Sequence, residues 1–134
     1  MFRVSKVGLK TLNLRDGVTA QIGQLNVGDY LRAFAILTPH IGKKGVDATE
    51  IAGLVLQNAD SVRAILDIVP RYVRNLNGIE IENDDASIRP ATSDDLVAHP
   101  TLVPFALIIF IELFSHSALG ESERKNSADS PAGS

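Results

Sequence analysis

The sequence predicts an α+β fold that is mainly α: a short N-terminal β-hairpin followed by a bundle of about four helices, with a disordered C-terminal tail. Three observations carry that prediction. An alternating stretch turns at Asp16-Gly17, apolar residues recur at helical spacing between residues 27 and 77, and the stretch from Pro100 to Phe114 is apolar on every side. One domain over residues 1–119 is expected, with residues 120–134 as the tail.

The hairpin is placed at residues 9–25. A two-residue Asp-Gly loop would set Leu14 opposite Thr19 and Leu12 opposite Gln21, mixing apolar and polar residues on one face. A three-residue loop, Arg15-Asp16-Gly17, pairs Leu12 with Ala20 and Lys10 with Ile22 instead, so one face becomes mostly apolar. Such a hairpin is marginal alone and needs another strand or a helix; Phe2 to Val7 is a candidate strand.

The first helix spans about 27–38. Asn26 is its N-cap, Asp29 favours its positive end, and Pro39 stops it. Val27, Tyr30, Leu31, Phe34 and Leu37 share a face that is expected to be buried. A second helix, about 48–57, begins with Asp47-Ala-Thr-Glu50 at capping-box spacing. The third, about 61–77, has the clearest helical pattern, in Val62, Ile65, Leu66, Ile68, Val69, Val73 and Leu76. Pro70 should kink or interrupt it, and Asn77-Gly78 should close it with a left-handed cap. The fourth, about 102–118, takes Thr101 as N-cap and tolerates Pro104 in its first turn. From Leu102 to Phe114 it reaches roughly 20 Å, short of the ~30 Å of a bilayer core. It therefore reads as the helix that the rest of the chain covers, or as one facing a partner.

Composition excludes several chemistries. The chain has no cysteine, which removes disulfides, thiolate metal sites and cysteine nucleophiles. The hydrophobic share of 45% and charged share of 22% suit a globular protein, and the first ten residues lack the apolar core of a signal peptide. A cytoplasmic location is expected. The net charge of -3 divides into +5 over residues 1–46 and -8 over the rest. The two parts attract, copies stack head to tail, or the charges solvate two surfaces. The basic residues are scattered and do not interleave with aromatics, so no nucleic-acid partner is expected.

No catalytic, metal or cofactor site is expected. His40, His99 and His116 fall in three segments, and Ser115-His116-Ser117 places neighbours that point apart on a helix. Ile41-Gly-Lys-Lys-Gly45 lacks the rest of a phosphate-loop pattern. The acids between Glu80 and Asp95 do not follow the order of a calcium loop. Glu112, alone in the apolar helix, is expected to meet Arg71 or Arg74. With no enzyme chemistry in view, the surplus of apolar residues points to self-association or partner binding.

The layout resembles the small tail assembly chaperones of long-tailed bacteriophages. The resemblance rests on the glycine-tipped hairpin, the helix start Leu25-Asn-Val-Gly-Asp-Tyr30, the amphipathic helices, the apolar last helix and the charged Glu123-Arg-Lys-Asn126. It implies a non-structural assembly factor of the host cytoplasm. Such a factor coats apolar helices of the tape measure protein and helps recruit tail tube protein during tail morphogenesis. In such proteins the short product is often extended by a ribosomal frameshift near its C-terminus. Phe105, Ile109 and Leu113, with the third-helix face around Leu66, Val69 and Val73, are expected to supply either the core or the partner-binding surface. The alternatives are a structural virion component, a membrane-associated protein anchored by residues 102–114, and a regulatory protein-binding module.

Overall fold

Arg15-Asp16-Gly17 forms a single tight turn because Asp16 (φ 60°) and Gly17 (φ 75°) both take left-handed angles. The Leu14 N–H donates to the Val18 carbonyl at 2.7 Å across it. Strands β1 (Lys10–Asn13) and β2 (Thr19–Ile22) then pair Lys10 with Ile22 and Leu12 with Ala20, the register of the three-residue loop. Leu12, Val18, Ala20 and Ile22 are buried as a result. These coordinates are a computed structural model that describes residues 9–40 and 48–129. Four expectations fall wholly or partly outside that range: the strand at Phe2 to Val7, the Ile41–Gly45 loop, Asp47 as a cap, and the end of the tail.

Helix α1 (Val27–Leu37) begins as expected, with the Asn26 side chain accepting from the Asp29 N–H at 2.8 Å. Helices α2 (Ala48–Val55) and α3 (Ala59–Ile68) follow. Asn58 caps α3 by accepting from the Ser61 N–H at 3.1 Å.

The expected third helix over 61–77 is corrected here. It ends at Ile68, tightens into a 3₁₀ turn at Val69–Arg71, and becomes strand β3 (Val73–Asn77). Pro70 supplies the break, because it cannot donate to a carbonyl one turn back. Beyond it, Val and two Asn are poor helix formers, while the open edge of β2 offers a ladder. β3 pairs antiparallel with β2, Leu76 opposite Ala20, with an irregularity at Gln21/Ile22, giving a sheet in the order β1-β2-β3. Val73 therefore lies on a strand. Gly78 (φ 92°) is a turn residue instead of a helix cap. A Cβ there would lie 2.5 Å from the Gly17 carbonyl oxygen, so the two turns touch only because position 78 is bare.

A second antiparallel pair, β4 (Glu80–Glu82) with β5 (Ile88–Pro90), leads to the short helix α4 (Asp95–Ala98). After a 3₁₀ turn at Pro100–Leu102, α5 runs from Val103 to Asp129. Its backbone continues past Gly120, where the sequence reading ended it and began a disordered tail. Thr101 is exposed inside the 3₁₀ turn and does not cap α5. Helices α1, α2, α3 and α4 all contact α5, whose Phe105, Ala106, Leu107, Ile109, Phe110, Ile111 and Leu113 are buried. The fold is thus mixed α+β with helix predominating, arranged around α5.

Candidate partner-binding surface

The face that α1 presents to solvent is the feature that sequence periodicity misplaced. Val27 is 76% exposed, Leu31 59% and Phe34 48%, whereas Asp29, Ala33 and Leu37 point inward. Positions 27, 31 and 34 follow the four-then-three spacing of a coiled-coil seam, so their side chains form one stripe along two turns. The stripe is on the order of 300 Å², the size of a functional patch on a monomer.

A buried carboxylate sets this orientation. Asp29, 5% exposed, accepts from the Tyr72 hydroxyl at 2.6 Å and from the Arg71 guanidinium at 3.1 Å. Arg32, one turn on, lies 3.6 Å from the same carboxylate and bridges to Asp67 at 3.3 Å. The Tyr72 hydroxyl in turn accepts from the Asn26 N–H at 3.2 Å. Burial foremost pushes the Tyr72 hydroxyl above its ordinary pKa; the Asn26 N–H opposes this and the Asp29 carboxylate adds to it. It therefore stays protonated and keeps donating. Turning Asp29 outward would break this network, so α1 is held with its stripe facing out.

At one border of the stripe the rings of Tyr30 and Phe114 stack with centroids 5.1 Å apart, and Phe34 lies 6.3 Å from Phe114. This contact joins the exposed face to α5. Nearby, the Ser117 hydroxyl accepts from the Leu25 N–H at 2.9 Å and donates to the Leu113 carbonyl at 2.8 Å, fixing the chain just before α1.

The six residues read from sequence as core or partner surface fall on the core side. Val69, Ile109 and Leu113 have no exposure, Val73 and Phe105 are buried, and half-buried Leu66 packs against the same cluster. Helical spacing and the all-apolar run signalled that core. The inward turn of Asp29 had no apolar signature to reveal it.

Several other polar groups are engaged within the fold. Glu112 meets Lys10 at 3.8 Å, not Arg71 or Arg74: Arg71 is engaged by Asp29, and Arg74 is exposed on β3. Asp95 is held well below the usual carboxylate range, first by Arg89 gripping it with two bonds of 2.8 Å, then by the Thr92 N–H at 2.8 Å. His99 lies 3.4 Å from that carboxylate. His116 keeps a buried Nε2 without a hydrogen-bond partner. Among the described residues, no group of three His, Asp or Glu side chains is placed to hold a metal ion. The window Pro100–Ser117 is long and apolar enough to cross a membrane by length and composition, and half of it is buried within the fold.

Comparison with protein-family models, curated proteins and solved structures finds no match to this chain.

Proposed function

We propose that this chain is a non-enzymatic, partner-binding assembly factor of the tail assembly chaperone kind. In this reading it holds apolar helices of a tape measure protein and helps recruit tail tube subunits, acting in the host cytoplasm. The observation that supports it is the outward stripe Val27, Leu31 and Phe34 on α1. Its seam-like spacing suits the apolar face of another helix, which would cover it without asking the core to open. Size helps to choose the partner. Two copies laid stripe to stripe would bury only about 600 Å² in all, below the ~1,000 Å² expected of a specific interface. A larger helical partner, engaging surface beyond the stripe, is therefore favoured over a simple dimer.

The test is a pair of outward substitutions, Leu31→Asp and Phe34→Asp, made in the full chain. Titration against helical fragments of a candidate tape measure protein should show binding for the parent and at least tenfold weaker binding for the double variant, with circular dichroism unchanged. Equal binding by both would overturn the α1 surface. Recovery of the chain in stoichiometric amount from purified virions would overturn the chaperone role in favour of a structural component.

A further inference from the structure

The hairpin β4–β5 forms a sheet of its own, and no other described strand pairs with either edge. Its pairs are Glu80 with Pro90, Ile81 with Arg89 and Glu82 with Ile88. Flanking bonds fix the alternation: the Ala91 N–H donates to the Ile79 carbonyl at 3.0 Å, and the Asn83 N–H to the Ser87 carbonyl at 2.8 Å. Residues 79, 81 and 83 thus spend their main-chain groups inside the hairpin. The N–H and C=O groups of Glu80 and Glu82 point away from β5. On the opposite edge Pro90 has no N–H, which blunts β5 against pairing. The β5 edge keeps a single donor, the Ile88 N–H, whereas the β4 edge offers donors and acceptors at both Glu80 and Glu82.

The side chains mark what would pair there. Glu80, Glu82, Ile88 and Pro90 share the exposed face, with Ile88 64% exposed, while Ile81 and Arg89 are half-buried beneath. None of the described ion pairs includes Glu80, Glu82, Asp84 or Asp85. Arg89, the cation within the hairpin, is taken up by Asp95.

We propose that the outer edge of β4 is a strand-addition site for a basic, extended segment of a partner protein. Lys or Arg at alternate positions sits beside Glu80 and Glu82, and apolar residues on the other face lie next to Ile81. Charge complementarity selects this occupant, because an acidic strand would set like charges side by side. The site is separate from the α1 stripe and does not depend on it. With a three-residue edge, at most a few main-chain bonds form, so binding is weak and falls with salt.

The probe is an eight-residue alternating Lys-Val peptide, titrated into the full chain and followed through backbone amide shifts. Shifts concentrated on residues 79–90 are expected, with affinity falling as salt rises. The Glu80→Lys/Glu82→Lys double variant, both positions being exposed, should keep its fold by circular dichroism and bind roughly tenfold more weakly. On the unaltered protein, the same peptide N-methylated at alternate residues should lose binding, because it cannot complete the ladder. Equal binding by the N-methylated peptide would reduce the effect to charge adhesion and overturn the proposal. Unchanged affinity in the double variant, or shifts confined to α1, would overturn it as well.

Discussion

Helices α1 and α5 are both rich in apolar residues, yet one is displayed and the other enclosed. Along the described part of α5 most of the large apolar side chains are buried, because α1, α2, α3 and α4 converge on it. Along α1, Ala33 and Leu37 go inward together with a carboxylate, while three larger apolar side chains stay in water. Area decides the place of α5, since burying each large side chain contributes about 1.5–3 kcal/mol. A polar anchor decides α1, since stranding a buried charge costs about 3–5 kcal/mol. Apolar periodicity measures how much oily surface a helix has; its rotation can be set by a single residue with good hydrogen-bond partners.

The contrast can be broken most forcefully at its enclosed end. Ile109→Asp puts an unpaired carboxylate where there is no exposure and should cost more than about 4 kcal/mol, seen as loss of the cooperative thermal transition. Asp29→Ala leaves the Tyr72 hydroxyl and Arg71 without their acceptor. About 2–4 kcal/mol should be lost in urea denaturation, and the α1 stripe should lose its fixed orientation. Gly78→Ala sharpens the comparison from the sheet side. The added methyl meets the Gly17 carbonyl at a left-handed position, and a loss of about 1–3 kcal/mol is expected from the same denaturation curves.

Acid should act through Asp95. Its folded-state pKa is depressed, so its contribution is fully present above the unfolded carboxylate value near ~4 and is lost as pH falls through the folded value. Urea midpoints should hold between neutral pH and pH 5 as far as this group is concerned, and drop in strong acid. The Asp95→Asn variant should show a smaller acid-induced drop. Leu31→Asp on the displayed face should change stability least, by about 0.5 kcal/mol or less, while weakening partner binding.

Much of this fold was legible because it rests on local chemistry. The three-residue turn followed from matching apolar faces across the hairpin, and the Asn26 cap from its place before a periodic run. The central place of the Pro100–Phe114 stretch followed from its having no polar face to offer water. Three failures share a cause: each depended on a distant residue. Val73–Asn77 became a strand because β2 had an edge to fill, and its apolar residues fit either period. Lys10 reached Glu112 across the fold, from a strand whose position no helix pattern gives. The α1 stripe was hidden for the same reason, since Arg71 and Tyr72 stand more than forty positions from Asp29.

The Asp29 anchor also separates robustness from usefulness in this chain. A version selected only to survive heat or proteases would gain by replacing that carboxylate and its two partners, Arg71 and Tyr72, with apolar residues and rolling the helix until its oily side met the interior. A variant with Asp29→Leu, Arg71→Leu and Tyr72→Phe together should then resist thermolysin longer than Asp29→Ala and ignore every helical ligand offered to it. A tougher molecule with nothing left to say to its neighbours is what that one acid prevents.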